Sequence, residues 1–248
     1  MITIKSQQEL QRMRQAGRIV AEVLAGLAER AKPGVTTASL DSWAEQLIRK
    51  RGGIPSFKGY RGYPASVCIS IDAQVVHGIP GRRQLCEGEI ASMDVGVIYG
   101  GYQGDAAMTV GIGQISAAAA DLLRVTQEAL AAGIAAARAG KRLGDVSHAI
   151  QTLAEGKGYG VVRDYVGHGI GKEMHEEPQI PNYGPAGRGP LLKPGMTLAL
   201  EPMVTAGDFH TRVLDDMWTV VTADGSLSAH FEHTIAVTDG EAEILTRL

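Results

Sequence analysis

Residues 90–110 read Ile-Ala-Ser-Met-Asp-Val-Gly-Val-Ile-Tyr-Gly-Gly-Tyr-Gln-Gly-Asp-Ala-Ala-Met-Thr-Val. Two apolar, β-prone arms flank Gly100-Gly101. A Gly-Gly pair so placed predicts a tight hairpin, because such turns need φ > 0 and glycine takes it without steric cost. With the turn there, Tyr99 faces Tyr102, Gly96 faces Asp105 and Asp94 faces Ala107. Asp94 and Asp105 then share one face as diagonal neighbours, roughly 7–8 Å apart at the backbone. Acids that close inside apolar strands repel each other unless something positive lies between them. A divalent metal ion would supply that charge; two solvated aspartates at strand ends also fit this stretch taken alone.

Outward from the hairpin, the chain is patterned as helix pairs followed by strands. Ser6–Ala31 has a capping-box start (Ser6, Glu9) and helical spacing through Leu10, Met13, Ile19, Val20, Val23, Leu24 and Leu27, with Pro33-Gly34 as its stop. A second helix is expected over about Ser39–Arg51, ended by Gly52-Gly53. Ser66–Ile71 and Val75-Val76 read as strands. After the hairpin, Ser116–Ala139 is again helical, and Gly144-Asp145 opens another helix that runs to Gly156 or Gly158. A shift of 106 residues lays Ala31-Lys32-Pro33-Gly34 on Ala137-Arg138-Ala139-Gly140, Leu40 on Val146, Leu47 on Leu153 and Gly52 on Gly158. The pattern predicts an α+β fold: a pseudo-two-fold antiparallel sheet covered on one face by two helix pairs. It reads as a single catalytic domain, 1–248, with repeat halves of approximately 6–112 and 113–248. The open face near the pseudo-axis is the natural place for a site drawing on both halves.

The later strands are Met196–Pro202, Trp218–Thr222 and Phe231–Val237, the last two connected through the turn Ala223–Ser226. Ionisable residues interrupt these apolar segments at Asp94, Asp105, His168, Glu201 and Glu232. A buried acid costs several kcal/mol unless paired or metal-bound. Four carboxylates and an imidazole converging in a core therefore imply cations, and two divalent ions would neutralise the four acids. The donor set, rich in oxygen and without thiolate, suits Mn, Fe(II), Co or Zn better than copper. A centre of this kind supports hydrolysis. His77 and His175, in Gly-flanked or motif-like segments, fit donors to a substrate carbonyl or amide better than further ligands.

Bulk properties exclude several classes. The chain has 248 residues, 44% of them hydrophobic and 21% charged, with a net charge of −3. No Lys/Arg run offers a nucleic-acid footprint. No apolar stretch approaches the roughly 20 residues a membrane span needs. The N-terminus carries no signal-peptide core. Two cysteines, Cys68 and Cys86, lie outside any metal-type spacing, and a cytoplasmic protein with reduced thiols is expected.

The motifs together resemble the type I methionine aminopeptidases, the pita-bread peptidases. They are Gly59-Tyr60-Arg61-Gly62-Tyr63-Pro64, Val67-Cys68-Ile69-Ser70, His77-Gly78-Ile79-Pro80, Asp94-Val95-Gly96 with Gly104-Asp105, Gly167-His168-Gly169-Ile170-Gly171 with Met174-His175-Glu176, Leu200-Glu201-Pro202, and Phe231-Glu232-His233-Thr234. The resemblance implies two divalent metal ions, one chelated by Asp94, the other by His168 and Glu201, with Asp105 and Glu232 bridging. It implies release of N-terminal methionine from nascent or short peptides with a small second residue. His175 would bind the scissile carbonyl, His77 would contact substrate near the scissile bond, and Glu201 would help move the proton of the attacking water. Phe57, Tyr60, Tyr63, Cys68, Met174 and Trp218 would form the methionine pocket, where aromatic faces and a thiol suit an unbranched thioether. A monomer acting on nascent chains, with ribosome contact implied by the family alone, is the expected setting.

The chain departs from the family pattern at Phe57, Met174, Ala106, Met108 and His230, the last standing where glutamine is usual. Two other readings compete. X-Pro peptidases of the same fold usually carry a large additional N-terminal domain, whereas here the repeat begins almost at Met1. A non-catalytic, protein-binding relative would be expected to have lost ligands, and all five are present. A Cys68/His77 hydrolase is disfavoured, because Cys68 lies in an apolar strand with no base-orienting pattern.

Overall fold

The computed structural model describes residues 1–248. Helices α1 (Gln7–Arg30) and α2 (Thr37–Lys50) form one pair, α3 (Ala117–Ala136) and α4 (Leu143–Gly156) the other. The Ser6/Glu9 capping box starts α1, and its predicted apolar face is buried. α2 begins ahead of the expected Ser39 because Thr36 takes the N-cap position and its side chain accepts from Ser39 N. α3 stops short of Ala139, its last turn closed by Ala137 N donating to Ile134 O. α2 and α4 each have 14 residues, and both of their ends are related by the 106-residue shift read from the sequence. No helix is long and apolar enough to cross a membrane.

Every strand pairing is antiparallel. The hairpin Ile90–Tyr99/Tyr102–Gly111 has the register expected of it: Tyr99 opposite Tyr102, Gly96 opposite Asp105, Asp94 opposite Ala107. Gly100 (φ 57°) and Gly101 (φ 80°) supply the left-handed pair the turn requires. Cys68–Ile71 and Ile54–Pro55 pair with the other edge of Ile90–Tyr99. In the second half, a five-stranded sheet runs Glu243–Ile244, His233–Ala236, Thr197–Leu200, Gly167–Gly169, Glu176–Ile180. Two three-stranded sheets complete the fold: Ser228–His230 with Met203–Thr205 and Gly160–Val161, and Thr211–Val213 with Val220–Thr222 and Gln74–Val76.

The two halves meet through backbone bonds beside the predicted ligands. Glu232 N donates to Ala107 O (2.9 Å) and Ala107 N to Glu232 O (3.3 Å). Thr234 Oγ1 donates to Asp105 O at 2.7 Å and accepts from Asp105 N at 3.1 Å. Two expected strands are corrected here. Phe231–Val237 is not one strand: the chain breaks at Phe231-Glu232, between Ser228–His230 and His233–Ala236, which belong to different sheets. Met196–Pro202 likewise contains only Thr197–Leu200. The chain passes through Glu201-Pro202 into Met203–Thr205 of another sheet, and Pro202 has no N–H to continue the first ladder. Glu201 and Glu232 thus stand where the chain leaves one sheet for another.

The first helix pair covers the hairpin sheet, and the second lies over both the five-stranded sheet and the three-stranded sheet of Met203–Thr205. Val20, Leu24, Leu40 and Ile48 pack with Ile69, Met93 and Val95, while Leu122, Leu130, Val146 and Ile150 pack with Leu198, Leu200, Val204 and Ile235. Each such side chain contributes about 1.5–3 kcal/mol by its burial. α1 presses directly on the hairpin: a Cβ at Gly104 would stand 2.7 Å from Gly17 N. Gly104→Ala is therefore expected to destabilise the fold by about 1–3 kcal/mol through forced separation of α1 from the strand. Urea unfolding measures this, and an unchanged midpoint would refute it.

Candidate active site

The site gathers around the hairpin's acids. Asp105, His168 and Glu232 are all buried, and each offers an atom to a common point, the three lying within 4.8 Å of one another. Glu201 and Asp94 face the same cavity. His168 Nε2 stands 3.6 Å from Glu201 Oε1 and 3.9 Å from Asp105 Oδ2, too far for hydrogen bonds. His168 Nδ1 is 2.9 Å from Gly169 O, so the Nδ1–H tautomer donates there. Neutral His168 then presents the Nε2 lone pair to carboxylates, acceptor against acceptor.

Buried oxygens Asp94 Oδ1, Asp105 Oδ1 and Glu232 Oε1 have no hydrogen-bond partner. Such atoms cost about 1–3 kcal/mol each when left unsatisfied. Burial, reinforced by the neighbouring carboxylates, pushes Asp105, Glu201 and Glu232 well above the carboxylate range, and burial also raises Asp94. Burial and then the neighbouring His175 hold His168 down at about 4. Carboxylates and an imidazole lone pair converging without a donor are what a divalent cation satisfies, so these residues fit a metal.

A cavity of about 290 Å³ opens over this cluster. Its wall includes Phe57, Tyr60, Tyr63, Cys68, His77, His175 and Trp218 from the sequence reading. Tyr63 meets Trp218 edge-on (5.1 Å, 75°), and His77 does the same with Tyr165 (5.7 Å, 82°). His77 has φ 62°, a left-handed conformation costly for a non-glycine residue. Burial, then His175, lowers it to about 4. Tyr60 OH lies 2.8 Å from His175 Nδ1 with the rings stacked at 5.5 Å. Burial, followed by the Arg61 charge, lowers the His175 pKa and favours neutral imidazole. Cys68 is paired with Asp94 across the strands, and burial, then that acid, pushes its thiol up.

Met174 is placed differently from the expectation. It is absent from the cavity wall and 3% exposed, packed with Leu10, Met13, Ala199 and Ala236. A Cβ at Gly96 would stand 2.8 Å from Met174 Cε and 2.8 Å from Phe57 Cε1, so the absence of a side chain at Gly96 leaves room for both. Arg61 and Tyr165 line the cavity and were not singled out by sequence reasoning, though both lie in or beside quoted glycine motifs. A larger cavity of about 630 Å³ lies between α3 and the C-terminal segment. Its acids Glu241 and Glu243 are already paired with Arg138 and Arg14, so it lacks the convergent free carboxylates of the smaller one.

Fold and site together define a metal-dependent peptidase, and the chain belongs to the M24 metallopeptidases: the profile of Metallopeptidase family M24 matches residues 11–239. Within that family its near relatives are methionine aminopeptidases. It is 58% identical to the methionine aminopeptidase of Clostridium acetobutylicum over 99% of both chains, and 53% identical to methionine aminopeptidase 1 of Bacillus subtilis over the whole of both. The crystal structure of a methionine aminopeptidase from Thermotoga maritima superposes with a TM-score of 0.99 at 47% identity, covering 100% of each chain. The prolidase of Pyrococcus furiosus shares the fold alone, with a TM-score of 0.80 at 22% identity over 99% of this chain and 65% of its own.

Proposed function

We propose that this protein removes the N-terminal methionine from newly made proteins and short peptides whose second residue is small. It does so as a single catalytic domain, 1–248, built from duplicated halves of approximately 6–112 and 113–248. The observation that carries this reading is the set of unpartnered buried carboxylate oxygens beside an aromatic cavity. Asp94, Asp105, His168, Glu201 and Glu232 would hold two divalent ions. Held there, divalent ions would supply Lewis acidity toward a carbonyl oxygen and toward water near neutral pH.

The chain's own residues do the rest. Glu201 takes the proton from the attacking water and passes it to the leaving amine. Tyr60 OH donates to His175 Nδ1, which leaves Nε2–H to donate to the scissile carbonyl oxygen. His77 contacts the substrate near the scissile bond. Phe57, Tyr60, Tyr63, Cys68 and Trp218 take the methionine side chain and exclude water around it. The setting of this reading is a cytoplasmic monomer, with Cys68 and Cys86 both free thiols.

Methionine release from Met-Ala-Ser, measured with Mn, Fe(II), Co and Zn in turn against an Ala-Pro peptide, tests the reading. Release from Met-Ala-Ser is expected and should be lost in Glu201→Ala. Turnover of Ala-Pro alone would assign the X-Pro activity, and inactivity with every metal would point to a non-catalytic relative. Cys68→Ser is expected to leave kcat within about tenfold, because a thiol raised by burial is a poor nucleophile. Complete loss of turnover in that variant would revive a cysteine mechanism.

A further inference from the structure

His230 ends the strand Ser228–His230, opposite Met203, and is 1% exposed. Its backbone is clamped on both sides by Thr109, whose Oγ1 accepts from His230 N and lies 2.9 Å from His230 O. The side chain has no comparable anchor at its tip, since buried Nε2 has no hydrogen-bond partner. The acid facing it is Glu201, with Oε2 at 3.8 Å. The other oxygen of that carboxylate, Oε1, faces His168 Nε2 at 3.6 Å. Glu201 is therefore flanked by two imidazoles, one on each oxygen, and the proposed function uses only His168. A buried ring nitrogen left unsatisfied costs about 1–3 kcal/mol, so this placement is stabilised only if the nitrogen acquires a partner. The Nε2–H tautomer obtains one by a small movement of the Glu201 carboxylate toward it.

We infer that His230 is a positioning residue for Glu201. Its Nε2–H donates to Oε2 and turns Oε1 toward His168 and the point where the carboxylates converge. The inference rests on Glu201 being a metal ligand. The Phe231-Glu232 crossover makes the arrangement possible, because it places His230 in one sheet and Glu232 between sheets while both remain beside Glu201. Partners that orient ligands in this way typically change metal affinity by about 10–100-fold.

Calorimetric titration of the metal-free full chain with Mn, alongside thermal unfolding of the same metal-free samples, tests this. His230→Leu is expected to weaken Mn binding by about 10–100-fold, with His230→Gln, which keeps an N–H donor, within about threefold of wild type. The metal-free Leu variant should unfold at about the wild-type temperature, because Nε2 and Oε2, 3.8 Å apart, are beyond hydrogen-bond distance until Glu201 is drawn into ligation, and the substitution removes a polar atom without a partner. In methionine release, the Leu variant should lose kcat with KM for Met-Ala-Ser held. Wild-type Mn affinity in His230→Leu would overturn the inference, as would a Gln variant as weak as Leu. A metal-free Tm that falls in step with affinity would assign His230 to packing and overturn it too. A wild-type protein that binds no divalent ion would overturn the metal reading and take this inference with it.

Discussion

Replacing Asp105 with Asn is expected to lower methionine release by more than about 100-fold, beyond the effect of losing a ligand's supporting partner. The same change should leave the metal-free protein at least as stable as wild type. Asp105 is 4% exposed, and its Oδ1 has no hydrogen-bond partner. Burial, and then the charges of Glu232 and Asp94, penalise its ionised form. Without metal, the carboxylate contributes repulsion and desolvation, and the isosteric amide removes the charge. With metal, the carboxylate would supply a negative oxygen ligand, which the neutral amide cannot replace. The two effects have opposite signs, which separates a ligand from a structural acid. Calorimetric Mn binding, methionine release and Tm with and without Mn measure them. Unimpaired Mn binding in Asp105→Asn would remove Asp105 from the centre.

His175→Ala is the second large effect. Loss of a hydrogen-bond donor aimed at a developing oxyanion costs about 100–1000-fold in kcat, and a loss of that order is expected here with KM changed far less. His175 is suited to the role by its support. Tyr60 OH lies 2.8 Å from Nδ1 and, by donating there as the proposed role requires, holds the tautomer that carries its proton on Nε2; the ring lies against His168 with centroids 4.3 Å apart. Tyr60→Phe leaves the imidazole in place but removes that selection, so a smaller loss of about tenfold is expected, as for partners that orient catalytic groups. Single-turnover and steady-state kinetics on Met-Ala-Ser distinguish the two variants. A Tyr60→Phe defect as large as that of His175→Ala would assign the chemistry to the tyrosine instead.

Much of this centre was legible along the chain. The Gly100-Gly101 turn and the register it sets follow from local chemistry, since left-handed φ values at consecutive positions leave few turns available. That register alone brought Asp94 and Asp105 to one face. The helix pairs were visible for the same reason: the capping box at Ser6 and the apolar period along α1 are properties of nearby residues. The strand ends were misread at Phe231–Val237 and Met196–Pro202, because an apolar run does not record which sheet each part of it joins. The family resemblance places Met174 in the pocket, whereas its burial against Leu10 and Met13 of α1 and Ala199 and Ala236 of the second-half sheet is a tertiary relation.

The amino-acid sequence by itself determined the helices, the hairpin, the spacing of the two aspartates and the identity of the residues able to hold a metal. All of these depend on backbone preferences and periodicities spanning a few residues. Only the tertiary structure decided that His168, Glu201 and Glu232 reach the hairpin's acids. It also decided that both glutamates stand where the chain changes sheets, and that His230 faces Glu201. Those relations join residues more than a hundred positions apart in the case of Asp105 and Glu232. They depend on how the two halves pack and bond through Ala107 and Glu232, a contact for which no local pattern in the chain provides a code.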